Sequence, residues 1–309
     1  MRERRVKESV VSIARSSNEQ ISIEDALSML PMNSVIHKGD LVVITPNWIT
    51  AKPPSSACVV GPYTLQSLIQ YIRRFEPREI VVATGSGGGE TFDIFHKVGY
   101  DKILDEEKIR FVDLNYGPYT ELKLDHEIIP KTKVNELLDQ IDVLISFTQL
   151  KQHEEATISA SIKNIALGWP PAEIHGFPKK KTGIHDDLHG FIAAMAKAIP
   201  IDLAIVSVDK AMIGTGPSEG IAVDTEGLMI ASTDPVAADA IGARLLGYLP
   251  QAVHYLYMLY KNQVGEADPQ KMQINGIDLI EAERIFSKAA YGVEIAVDNK
   301  GKIKGIHAE

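Results

Sequence analysis

The feature that most constrains this fold is a repeated change of hydrophobic period. Short apolar, β-branched runs at residues 10–13, 41–44, 79–83 and 109–112 read as strands. Between them, 23–30, 63–75 and 91–98 carry apolar residues at helical spacing, with Leu65, Leu68, Ile69 and Ile72 on one face. The second half repeats the rhythm, with apolar runs at 143–147, 203–208 and 227–231 and helical patterns at 187–198 and 235–246. Asp234 before Pro235 is a helix-start signal, and Gly247 suits a left-handed cap at its end. Residues 293–303 read as a hairpin turning at 298–301. Strands alternating with helices predict βαβ units, because parallel strands need a crossover. The expected fold is α/β: a mainly parallel sheet with flanking helices, in two lobes around a cleft. The lobes are placed at 1–135 and 136–309, with a boundary near the polar stretch 130–142, and the second carries the Lys/His cluster described below.

The 309 residues hold 32 Lys+Arg against 41 Asp+Glu, a formal charge of −9. That balance argues against a general nucleic-acid surface, which needs a basic face. The triplet Lys179–Lys181 reads as a solvated loop. Cys58 stands alone, so neither an intramolecular disulfide nor an all-cysteine iron–sulfur cluster can form. The charged N-terminus lacks the apolar core of a secretory signal. No uninterrupted run is long enough to span a membrane: in 191–213, Lys197, Pro200, Asp202, Asp209 and Lys210 intervene. A soluble, cytoplasmic protein without a membrane partner is expected. The aromatic stretch 254–260 reads as core or as a contact in a homo-oligomer.

Polar residues concentrate directly after the apolar run 143–147: Lys151, His153, Lys163 and Asn164, then His185 and His189. In open α/β sheets the crevice lies at the carboxyl ends of the strands, so this cluster is where chemistry is expected. Lys151 and Lys163 could hold a carboxylate or phosphate, and His153 could move a proton near neutral pH. Solvated lysines are the plain alternative for either one alone. His185 and His189, four apart, could chelate a divalent metal on one helix face. His153, His175 or a carboxylate would supply a third ligand. Asp186 stands where a zincin needs Glu, and His185 could precede the helix.

Other strand ends offer weaker candidates. The loop 83–91 contains Gly87 and Gly88 and leads into a helix, so its backbone N–H groups could cradle an anion. It lacks the Lys-Ser/Thr ending of a P-loop and the spacing of a dinucleotide fingerprint. A flexible turn is its alternative reading. Asn47 could hydrogen-bond a small polar ligand beside a Trp48 wall, or serve only a turn. Glycines at 214–220 permit close backbone approach or a hinge, and Asp209, with Asp234, could orient the catalytic groups. No Gly-x-Ser-x-Gly elbow is present, and Cys58 has no histidine nearby in sequence.

Together Thr45-Pro-Asn47, Leu150-Lys-Gln-His153, Ile162-Lys-Asn164 with Gly168, His185 with Leu188-His189, 211–217 with Gly220, and 231–239 form an ordered pattern. It resembles the uncharacterised family called domain of unknown function 362, over roughly 10–246. Thr45 departs from the lysine usual there. Many members of the family carry cysteine-rich segments that bind iron–sulfur clusters, which this chain lacks. The order of parts is also similar, distantly, to the nickel-pincer lactate racemase family. That resemblance implies proton transfer at the α-carbon of a small hydroxy acid as one concrete activity. The sequence therefore predicts an enzyme for a small anionic molecule, with or without a metal or other cofactor. The catalytic set would be His153, Lys163 and Asp209, and the binding set Asn47, Gly87, Gly88, Lys151 and Asn164. A non-catalytic anion or cofactor carrier is the rival class.

Overall fold

The computed structural model describes residues 2–47, 50–297 and 303–304. Trp48 and the turn expected at 298–301 lie outside the described residues. The first strands are β1 (Val10–Arg15), β2 (Leu41–Pro46), β3 (Glu79–Thr84) and β4 (Arg110–Asp113). A separate antiparallel hairpin, β5 (Tyr119–Lys123) with β6 (Lys131–Asn135), overlaps the polar stretch near 130. Then come β7 (Val143–His153), β8 (Thr157–Ser159), β9 (Leu203–Ile213), β10 (Ile221–Asp224), β11 (Leu228–Ser232) and β12 (Gln273–Gly276).

One ten-stranded sheet runs in the order β12-β1-β11-β9-β7-β2-β3-β4, with β8 added to β7 and β10 to β9. Every neighbour from β9 to β4 is parallel. On this path β11 runs against the rest, and β8 and β10 fold back antiparallel. The α/β class is therefore present, with a sheet that is parallel through its centre and mixed towards one edge. The division at 135/136 does not fall between two sheets, because β1 crosses over to pair between β11 and β12.

The strands are apolar on both faces because both faces are covered. Val42 and Ile44 of β2 pack with Leu65, Leu68 and Ile72 of the Pro62–Arg73 helix. The alternate residue Val43 shares the opposite core with Ile162, Ile165, Phe191, Ile192 and Ile241 from three other helices. Asp234 caps the Pro235–Leu245 helix through the Val236 N–H at 2.9 Å, and Gly247 takes a left-handed φ of 86°. In the His254–Lys261 helix Tyr255, Leu256 and Leu259 are core while Tyr257 faces out. Among the described residues, no helix is long and apolar enough to cross a membrane.

The topology places the site. From β2 the chain crosses over one face to β3, whereas from β7 it crosses the other face to β9. Adjacent strands whose connections leave in opposite directions open a crevice at their carboxyl ends. Here those strands are β2 and β7.

Candidate functional site

A cleft of about 270 Å3 opens at that switch point. Its walls are Asn47 beyond β2, Thr84, Gly85 and Gly87 at the end of β3, and His153 to Glu155 at the end of β7. The Ser161–Gly168 helix contributes Lys163 and Asn164, and the following loop adds Lys179, Lys180 and His185. Gly216 and Pro217 close the rim. Asn47 ties the two strands together: its Oδ1 accepts from the Gln149 N–H at 3.1 Å and its Nδ2 donates to the Cys58 carbonyl at 2.8 Å. Asn164 Nδ2 donates to the Thr45 carbonyl at 2.8 Å and to Ser146 Oγ at 3.1 Å, fixing the helix to both strands.

The Ser161–Gly168 helix has no side-chain cap of its own, since Ala160 precedes it. Asp239 of the Pro235–Leu245 helix supplies the cap, accepting from the N–H groups of Ser161 (2.8 Å) and Ile162 (3.1 Å). This positions Lys163 two residues into the helix. Lys163 is 7% exposed and lines the cleft, yet its ammonium has no hydrogen-bond partner among the described residues. Burial pushes its pKa down to about 8, partly opposed by the Glu155 carboxylate.

Lys179 corrects the sequence reading of a solvated triplet. It is 4% exposed and donates to the carbonyls of Gly85 (3.0 Å), Leu167 (2.8 Å) and Gly168 (3.4 Å). It thereby joins the end of β3 to the last turn of the helix, where a cation is favoured by the helix dipole. Burial depresses its pKa to about 7, against the pull of Asp113. Lys180 pairs with Glu155 at 2.8 Å. Nothing local in the sequence distinguishes these lysines from surface ones, because their burial comes from packing against residues far away in the chain.

The two histidines of the cleft are held differently. His153 Nδ1 accepts from the backbone N–H groups of Glu155 (3.1 Å) and Ala156 (3.2 Å). Burial, followed by the charges of Lys163 and Lys151, pushes its pKa down to about 2, so it is neutral. His185 Nδ1 instead meets the Glu155 carboxylate.

Other expected residues lie elsewhere. Lys151 is fully buried behind the cleft, donating to the Cys58 carbonyl at 2.6 Å, and burial lowers its pKa to about 7. Gly88 does not line the cleft, and its N–H is engaged by Ser86 Oγ at 3.1 Å. Asp209 faces a different surface, accepting from the Gly227 N–H at 2.8 Å and pairing with Lys210 at 3.1 Å. Asp234 is a helix cap that also accepts from Ser9 Oγ at 2.6 Å.

The metal reading finds no donor set. The helix carrying His189 begins at Leu188 with Asp187 as its cap, so His185 precedes it and the two rings share no helix face. His189 Nδ1 accepts from the Tyr255 N–H at 3.2 Å, and its ring stacks on Tyr255. His175 is engaged by Thr132 and Thr182. Among the described residues no three His, Cys, Asp or Glu side chains are grouped to hold a metal. The cleft's lysines would also repel a dication. The described residues thus offer no ready-made donor set for a free divalent ion.

Two glycines test the packing of the walls. A Cβ on Gly216 would lie 1.8 Å from the Gln152 carbonyl, whereas one on Gly87 meets nothing within 4 Å. Gly216→Ala is expected to destabilise the fold by about 2 kcal/mol or more, read by urea unfolding. Gly87→Ala should leave stability unchanged and alter only ligand affinity.

The profile of the family named domain of unknown function (DUF362) matches residues 42–244, two thirds of the chain and every residue that lines the cleft. The chain belongs to this family. A thylakoid-associated protein of Synechocystis sp. (strain ATCC 27184 / PCC 6803 / Kazusa) is 25% identical over 226 residues, covering 72% of this DUF362 chain and 68% of its own. Among solved structures, the lactate racemase apoprotein from Thermoanaerobacterium thermosaccharolyticum aligns with 78% of this chain at 17% identity and a TM-score of 0.43. The DUF362 chain spans 57% of that protein's length, and a likeness this shallow decides nothing about chemistry.

Proposed function

We propose that this DUF362 protein is an enzyme that binds a small organic anion in the switch-point cleft and carries out acid–base chemistry on it. One observation carries the reading: Lys163 has a largely buried side chain whose ammonium reaches the cleft and has no hydrogen-bond partner among the described residues. A charge withdrawn from water needs pairing, and a carboxylate or phosphate entering the cleft would provide it. Lys179 adds positive potential at the end of the same helix. Glu155 offsets it only in part, since that carboxylate is shared by Lys180 and His185. A pKa near neutrality in a cleft is also what acid–base catalysis requires.

Calorimetric titration with pyruvate, oxalate and inorganic phosphate tests this. Anion binding favours the ammonium form, so affinity should be level below the free Lys163 pKa of about 8. Above it, affinity should fall by up to about tenfold per pH unit. Near pH 8 binding should take up protons, seen as a dependence of the heat on the buffer. Absence of binding by all three probes at pH 6.5 would overturn the reading.

A further inference from the structure

We propose that His185, oriented by Glu155, is the general base of the cleft, that His153 is its hydrogen-bond-donating partner, and that the reaction removes a proton from carbon next to a carbonyl. This rests on the anion-binding reading and adds the class of substrate: a small carboxylate or phosphate that also bears a ketone or aldehyde.

The inference comes from what each Nδ1 touches. Backbone N–H groups can only donate, so His153 Nδ1, which accepts from Glu155 and Ala156, carries no proton. The proton of the neutral ring is then on Nε2, and His153 has a donor to offer. The Glu155 carboxylate can only accept, so His185 carries its proton on Nδ1. Its Nε2 is left with a lone pair, which is a base. Both rings line the cleft. Glu155 is the positioning residue, because its backbone sets one ring and its side chain the other. The carboxylate also pairs with Lys180, which keeps it from swinging away.

A neutral imidazole donating to a carbonyl beside a separate base is the arrangement that stabilises an enolate. The C–H proton passes to His185 Nε2, and its electron pair becomes the carbon–carbon π bond. The carbonyl π pair moves to oxygen, where His153 Nε2–H donates to it. Return of the proton from His185 Nε2 to the same carbon, with re-formation of the carbonyl, completes an exchange with no oxidant or co-reactant. Lys163 holds the anionic group throughout.

Two measurements on the intact protein test this. Nitrogen-15 NMR of labelled histidines should show neutral His185 protonated at Nδ1 and His153 at Nε2. Glu155→Gln should disturb the first. Finding His185 protonated at Nε2 in the wild type would overturn the proposal without any variant. Proton NMR in D2O should show loss of the C–H signals of pyruvate, the carboxylate arm, or of dihydroxyacetone phosphate, the phosphate arm, at least tenfold faster than in buffer. His185→Gln should abolish that exchange while anion affinity changes less than about threefold. No exchange of a probe that the wild type binds would overturn the base assignment and leave the anion site standing. Loss of binding itself would strike the earlier reading instead.

Discussion

Lys163→Met is expected to weaken binding of a carboxylate or phosphate by about 100-fold while making the free protein more stable. The two effects have one cause. In the unliganded fold, the side chain is largely buried and its ammonium has no hydrogen bond among the described residues, and burial has lowered its pKa from 10.5 to about 8. Below pH 8 the folded state therefore bears a penalty that the unfolded chain does not. The penalty is relieved as pH rises from 8 towards 10.5, above which both states are neutral. Methionine fills nearly the same volume without the charge, so stability should rise by about 1 kcal/mol or more at pH 7. The gain should shrink towards pH 10. Thermal unfolding at the two pH values reads the stability arm, and calorimetric titration reads the affinity arm. A variant that loses stability and keeps affinity would place Lys163 among structural groups.

Asp239→Ala should have the largest cost to the fold, about 3–4 kcal/mol by urea unfolding. The carboxylate is fully buried and accepts from Ser161 N–H, Ser161 Oγ at 2.5 Å, Ile162 N–H and Tyr255 Oη at 3.0 Å. Alanine leaves those donors unpaired and removes the cap of the helix that carries Lys163 and Asn164. Loss of the dehydrated charge offsets part of the cost. Burial raises the Asp239 pKa from 3.8 to about 6 despite these bonds. The folded state thus binds the extra proton between those values, and the group's stabilising contribution falls as pH rises through 6. The gap between wild type and variant should accordingly be wider at pH 4 than at pH 7. A uniform gap would mean that the titration belongs to another group.

The local elements were largely legible. The helix Thr91–Val98 falls where its spacing put it, and β2 and β3 run only a residue or two past their apolar runs. In β7 the strand extends beyond Phe147 to His153, because pairing with β8 continues it through polar residues. The helix Ser161–Gly168 carried too weak a start signal to be read, since its cap comes from Asp239, 78 positions away.

What the sequence determined by itself was periodicity, the impossibility of an intramolecular disulfide or an all-cysteine cluster, and the segment in which polar groups gather after β7. These are local properties, fixed by side-chain spacing along the backbone. Tertiary structure decided which of those groups face one another. It set Lys151 behind the wall and Asp209 on another surface, and it drew Lys179 and Glu155 into the cleft. It also assigned each histidine its partner. Whether a lysine is solvated or buried, and which ring nitrogen keeps its proton, depends on groups brought near by the sheet order, and no local pattern encodes that order.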